Sequence, residues 1–386
     1  MKIFTCQACG NAVHFENTHC VNCKHLLGFA TDQLTLSALE RDGESDQFTT
    51  LSDPSNRYVL CANAESGACN WLIAADEGEP YCLSCRHDHT LPDLSVPDNH
   101  QAWRRIELAK RRMFYSLLRW GLPALTRDQD ADAGLAFDLL ADIKTANGVQ
   151  PVLTGHDNGL ITLNIAEAND AEREARRAAM GEPYRTLLGH FRHEIGHYYW
   201  DRLVRDGDRL EQCRAIFGDE REDYEQALKR YYQTGAPRDW NLRFISAYAT
   251  AHPWEDFAET WAHYTHMVDA LETARAFGLV VGFTLSDQPS GAERNFDPYC
   301  AGDIDDLIAD WIPVTIALNA LNRSLGQQDL YPFVLSRAVI EKLAFVHNLV
   351  RGASPLAEGE LKLPDEEPSV RGDSFASIRT LQEVDR

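Results

Sequence analysis

Apolar positions recur at helical spacing through most of the chain beyond residue 100. In the first such stretch, residues 101–120, Trp103, Ile106, Met113, Phe114 and Leu117 share a stripe, with Arg104, Arg105, Lys110, Arg111 and Arg112 mostly between them. This predicts an amphipathic basic helix whose apolar side packs on the next domain and whose basic side is solvated or meets acidic neighbours. Further helices are predicted near residues 130–146, 183–205, 219–233, 253–277, 304–325 and 335–350. Two short strands, at 151–153 and 160–165, are separated by turn residues such as Gly155 and the Asp157-Asn158-Gly159 run. Pro92 and Pro97 break the chain ahead of the first helix. Beyond Gly352, Pro355, Pro364 and Pro368 with five acidic residues between them suggest a mobile acidic tail over 352–386.

The chain in front of that helix has a different character. Eight of the ten cysteines fall within the first 85 residues and include three CxxC pairs, and no apolar segment marks the N-terminus for export. Metal binding in a reducing, cytoplasmic setting is expected rather than disulfides. Cys6-x2-Cys9-x10-Cys20-x2-Cys23 has the two-knuckle spacing of a zinc ribbon, in which metal replaces a core that so short a segment cannot build. Cys61-x7-Cys69-x12-Cys82-x2-Cys85 is less regular but still suits one tetrahedral site, with His87 and His89 as alternative ligands. All-cysteine coordination leaves no open position, so both zinc sites are expected to be structural. The expected order is a zinc ribbon over 1–28, a polar linker over 31–56, a second cysteine module over 57–91, the linking helix within 98–126 and a large domain over 127–351. Cys213 and Cys300 stand alone and read as small buried residues.

The formal charge of −22 repels phosphate backbones, and residues 1–90 hold five Lys and Arg against twelve Asp and Glu. This argues against a nucleic-acid partner and leaves a protein partner for the ribbons, or delivery of substrate, as the better reading. The most apolar stretches are interrupted by charges, so no membrane span is expected.

His193-Glu194-Ile195-Gly196-His197 is an HExxH sequence. A helix puts both imidazoles one turn apart on one face, where they reach a single Zn²⁺, and leaves Glu194 beside the metal without ligating it. A carboxylate there can take a proton from an activated water and hand it to a leaving amine. Gly196, normally poor in a helix interior, is read as a site of close packing behind the metal. A catalytic zinc needs a third protein ligand and an open position. His197 is not followed by GxxH, against the metzincin pattern. Glu255, opening the helix predicted at 253, is the better candidate, and Glu259 one turn later can accept the second N–H of a ligating histidine. His263 and His266 on the same helix are rival ligands. Asp256, about 100° round the helix from Glu255, is expected to be solvated or a cap.

The sequence HEIGH, then Tyr248, then Glu255 seven residues on within PWEDFAE, resembles the active site of gluzincin peptidases, notably the anthrax lethal factor group. The resemblance implies that Tyr248 helps to stabilise the oxyanion, that Glu255 binds zinc and that Glu259 lies behind the ligands; from the residues alone Tyr248 reads equally well as a buried aromatic. More widely, the cysteine ribbon with HFRHEIGHYYWDRLV, HPWEDFAETWAHYTHM and WIPVTIALNALNRSLGQQDLYPFVLS resembles, over roughly residues 1 to 350, the bacterial zinc-binding metallopeptidase family that takes its name from this motif. The implied fold is α+β, a mostly helical zincin-like domain behind two small zinc-ribbon-like modules.

The expected function is hydrolysis of peptide bonds in a peptide or protein substrate. One catalytic zinc sits on His193, His197 and Glu255, Glu194 acts as base and then acid, and the 160–165 strand pairs with the extended substrate. The rival readings are an adaptor that binds zinc without turnover and a zinc hydrolase of a non-peptide amide.

Overall fold

The computed structural model describes residues 2–145, 148–150, 152, 154–180, 186–279, 281 and 296–353. β1 (Phe4–Thr5) and β2 (Ala12–Val13) form a hairpin whose turn carries Cys6 and Cys9. Five antiparallel strands follow in spatial order: β3 (Leu27–Ala30), β4 (Thr35–Arg41), β5 (Phe48–Thr50), β6 (Tyr58–Leu60) and β7 (Leu72–Ala74). Phe29 donates its N–H to Asn70 O at 2.8 Å and bridges Trp71, so β3 meets β7 and the sheet curls back on itself. The segment expected as a polar linker over 31–56 therefore supplies β4 and β5. Its polar residues lie mainly on the turns, while Leu36, Ala38, Leu39 and Phe48 are buried. Strands this short carry too few apolar residues to register as a pattern.

After β8 (Asp88–Thr90) comes the 24-residue helix α1 (Pro97–Trp120), opened by Pro97 in its first turn and closed by Gly121 at φ 64°. Its apolar stripe is buried as expected. Its basic side is only partly at the surface: Lys110 is fully buried between Asp88 and Glu107, and Arg111 donates to the Ala68 carbonyl. Arg112 pairs with Glu16 at 3.0 Å, and Arg119 with Glu272 at 3.1 Å and with Asp297.

Residues 130–146 were expected to be helical and instead contain β9 (Ala136–Leu140) and β10 (Ile143–Thr145), the latter paired with β11 (Gly148–Gln150). A short apolar run fits a buried strand as well as a helix, and parallel neighbours on both sides of β9 decide the matter. Ala146, Pro151 and Leu153 lie outside the described residues. β12 (Gly155–Asp157) and β13 (Leu160–Asn164) form a hairpin through Asn158-Gly159, both at positive φ (44° and 85°), as a tight two-residue turn requires. The sheet order β12-β13-β9-β8 makes β13 internal and β12 an edge.

The remainder is helical: α2 (Asp170–Met180), α3 (Leu187–Tyr199), α4 (Leu210–Phe217), α5 (Tyr224–Thr234), α6 (Pro253–Ala276), α7 (Ile304–Ser324) and α8 (Arg337–Ala353). Thr186 caps α3, accepting the Gly189 N–H at 2.9 Å, and beyond Tyr199 the helix relaxes into a π turn over Trp200–Arg205. The expected start of this helix at residue 183 and the acidic tail beyond Ala353 lie outside the described residues. α2 and α4 were not foreseen. α6 is the central helix, with Phe257, Ala258, Trp261, Tyr264, Met267 and Val268 all buried. No helix among the described residues is long and apolar enough to cross a membrane.

At the α3–α6 crossing, a Cβ on Gly196 would lie 3.0 Å from Ala258 Cα and 3.1 Å from Trp261 Cβ. In an open helix, alanine is worth about 1 kcal/mol over glycine. Here Gly196→Ala is expected to reverse that sign and lower stability by about 1–3 kcal/mol through overpacking, read as a shift in the urea-unfolding midpoint.

Candidate metal centres

The cysteine turns bring their sulfurs into two groups, Cys6, Cys9, Cys20 and Cys23 in one and Cys61, Cys69, Cys82 and Cys85 in the other. Cys6 lies 3.6 Å from Cys23, Cys9 3.6 Å from Cys20, and Cys69 3.7 Å from Cys82. A tetrahedron with Zn–S bonds of about 2.3 Å has S···S edges of about 3.8 Å, so both groups fit a zinc ion; a disulfide would need about 2.05 Å. The second group is entirely buried, and the N–H groups of Trp71 and Cys82 point at Cys69 and Cys61 sulfurs at 3.4 Å. His87 and His89 stay outside it. The His87 imidazole is held by the Leu83 and Ala124 carbonyls, with burial pushing it down to about 4, and His89 pairs with Asp138 at 2.8 Å.

A third group forms between α3 and α6. Helix period places His193 and His197 one turn apart, with their Nε2 atoms 3.2 Å from each other. Glu255, in the first turn of α6, puts Oε2 3.0 Å from His193 Nε2 and 3.6 Å from His197 Nε2. Zinc with bonds of about 2.0–2.1 Å would have ligand–ligand edges of about 3.3–3.4 Å. Glu255 Oε2 is buried and accepts no hydrogen bond among the described residues, as a carboxylate oxygen reserved for a cation would. Burial alone would raise the Glu255 carboxyl, but the His197 and His193 imidazoles hold it well below its ordinary range.

The surroundings orient these atoms. His193 Nδ1 donates to Glu259 Oε1 at 2.7 Å, which turns Nε2 toward Glu255. Ser246 Oγ donates to the other Glu259 oxygen at 2.5 Å. The His197 ring lies against Trp254, with centroids 3.8 Å apart, and His156 of edge strand β12 stacks beside it at 6.1 Å. Tyr224, at the start of α5, donates its hydroxyl to Glu255 Oε1 at 2.5 Å. Glu194 is buried next to the group without joining it, and burial pushes its carboxyl up, which strengthens it as a proton acceptor. Tyr248, on the short turn before α6, has its ring 5.9 Å from that of His193.

Two expectations for α6 are corrected. Asp256 is neither solvated nor a cap: it is fully buried and paired with Lys342 of α8 at 2.6 Å, while His252 caps the helix by accepting the Trp254 N–H at 3.1 Å. The rival ligands point elsewhere. His263 bonds the Tyr331 hydroxyl at 2.8 Å, and the His266 ring stacks on Tyr331. Sequence reading missed Tyr224, Ser246 and His156, which reach the site from separate elements with no local motif, and also Trp254, the neighbour of Glu255 in the chain, and Lys342, the partner of Asp256. Glu259→Ala should weaken zinc at the histidine–glutamate site about 10–100-fold in competition with a chelating dye, and leave the cysteine sites loaded.

Two family models match the chain. One, described as "Putative zinc-binding metallo-peptidase", covers residues 99–349, and a zinc-ribbon domain covers residues 3–96. Uncharacterized proteins of Mycobacterium tuberculosis (strain H37Rv) and Mycobacterium bovis are each 42% identical to it over 356 residues, 92% of this chain and 97% of theirs. No solved structure is significantly similar. With its histidine–glutamate site inside the first match and both cysteine groups inside the second, the chain belongs to the zinc-binding metallopeptidase family and carries a zinc-ribbon domain in front.

Proposed function

We propose that the chain is a zinc-dependent peptidase in which His193, His197 and Glu255 hold the catalytic ion and the two cysteine groups hold structural ones. The observation that supports it best is the convergence of two imidazole nitrogens and one otherwise unbonded carboxylate oxygen within 3.0–3.6 Å of one another, with a second carboxylate, Glu194, beside them and outside the set. Three ligands from the protein leave room for a fourth, which separates this site from the two closed cysteine sites. Zinc held there supplies Lewis acidity to a water and to the scissile carbonyl.

The chain's own groups then divide the work. Glu194 accepts the proton of the attacking water and returns it to the leaving amine, a role for which burial has raised its basicity. Tyr248, beside His193, donates its hydroxyl to the oxyanion. Glu259 keeps His193 in the tautomer that presents Nε2. The strand over 160–165 was expected to align the substrate, but β13 is paired on both sides. Edge strand β12, which carries His156 beside His197, takes that role and pairs with an extended peptide.

Glu194→Gln keeps the size of the side chain and removes the base. It is expected to lower hydrolysis of a peptide library about 10²–10⁴-fold with zinc content unchanged. Equal hydrolysis by the variant would remove Glu194 from the mechanism.

A further inference from the structure

We infer that Tyr224 is a positioning residue for the third metal ligand, holding one oxygen of Glu255 so that the carboxylate offers only the other to the ion. This rests on the reading of Glu255 as a ligand. The two oxygens have separate neighbours: Oε1 accepts the Tyr224 hydroxyl at 2.5 Å, and Oε2 faces His193 and His197 Nε2. A carboxylate with both oxygens free can close on a cation bidentately. That would take up the space a catalytic site keeps for water. A hydrogen bond on Oε1 engages the oxygen that would have to turn inward.

The position of Tyr224 is built into the backbone. Asp223 caps α5, accepting the Gln226 N–H at 3.0 Å, and this places Tyr224 at the first helical position. The start of α5 is tied to the start of α6 by His252 Nε2 donating to the Glu222 carbonyl at 3.0 Å. The Tyr224 ring stands edge-on to His252 at 5.2 Å and to Trp254 at 5.8 Å. The residue is 37% exposed, so its ring carries little of the core, and the hydroxyl can be removed with these ring contacts kept. Glu259 orients His193 from one side of the site while Tyr224 orients Glu255 from the other, so two of the three ligands each have a dedicated partner.

The test uses the full chain with its cysteine sites loaded and the histidine–glutamate site stripped by a chelator, then titrated with Zn²⁺ and, separately, with Co²⁺ as a spectroscopic probe. Tyr224→Phe is expected to weaken zinc about 10–100-fold and to shift the cobalt visible bands toward the weaker absorption of a five-coordinate ion. Tyr232→Phe, which removes the hydroxyl of an exposed residue on the same helix, should leave both readouts as in the parent. If Tyr224→Phe matches the parent while Glu255→Ala loses the metal, the inference is overturned and Glu255 remains a ligand. If Glu255→Ala also matches the parent, the ligand assignment fails and takes the inference with it. Equal losses in Tyr224→Phe and Tyr232→Phe would overturn it too, since the effect would then not run through the bond to Glu255.

Discussion

The distance between α3 and α6 at Gly196 governs the centre of this molecule. With no side chain at residue 196, the two helices approach until a methyl group would press on Ala258 and Trp261, and this sets the gap across which His193 and His197 face Glu255. The contact is held from both sides. Tyr199 stacks on Trp261 at 4.9 Å, and Phe191 meets Phe137 of β9 at 5.7 Å, so α3 is fixed to α6 on one face and to the sheet on another. α6 is fixed in turn by α1, through the Tyr115 hydroxyl on Glu272 at 2.7 Å and the Trp120–Tyr264 stack. Consecutive buried acids at its start raise the stakes, because a buried charge without a partner costs several kcal/mol. Asp256 is compensated by Lys342; Glu255 is compensated by the imidazoles and, on the proposed reading, by the ion.

The zinc-ribbon region and the helical region share one core through α1. Phe15 and Phe29 pack edge-on against Tyr115, an α1 residue that also bonds Glu272 of α6, and Trp71 packs on both phenylalanines. The buried cations of α1 serve the same junction. Lys110 pairs with both Asp88 and Glu107, and Arg111 reaches the backbone at Ala68 between two cysteines of the second group. Metal at the cysteine sites would thus set the shape of a surface that α1 carries to the central helix, since segments this small depend on their ion for folding.

Where the sequence was readable, a short-range rule decided the geometry. The helix period puts His193 beside His197 and Glu255 one turn before Glu259, and the cysteines cluster in sequence as two sets of four, so those groups could be named from their numbers alone. The same rules fail where long-range packing decides. Ala136, Phe137 and Leu139 form a strand because β8 and β13 lie on either side of them, which their own spacing does not encode. The strands within 31–56 were hidden by polar turns. Asp256 reads locally as solvated or a cap because Lys342 lies 86 residues away, and nothing near Tyr224 in the sequence announces a bond to Glu255 that spans 31 residues. The family models match residues 3–96 and 99–349 and say nothing of these partners.

The most direct test of the central claim is zinc per chain by elemental analysis, in the intact protein and in the double variant His193→Ala with His197→Ala. The account predicts three zinc ions in the first and two in the second. Two in both would contradict it, because the site between α3 and α6 would then hold no zinc for Glu194 to work beside.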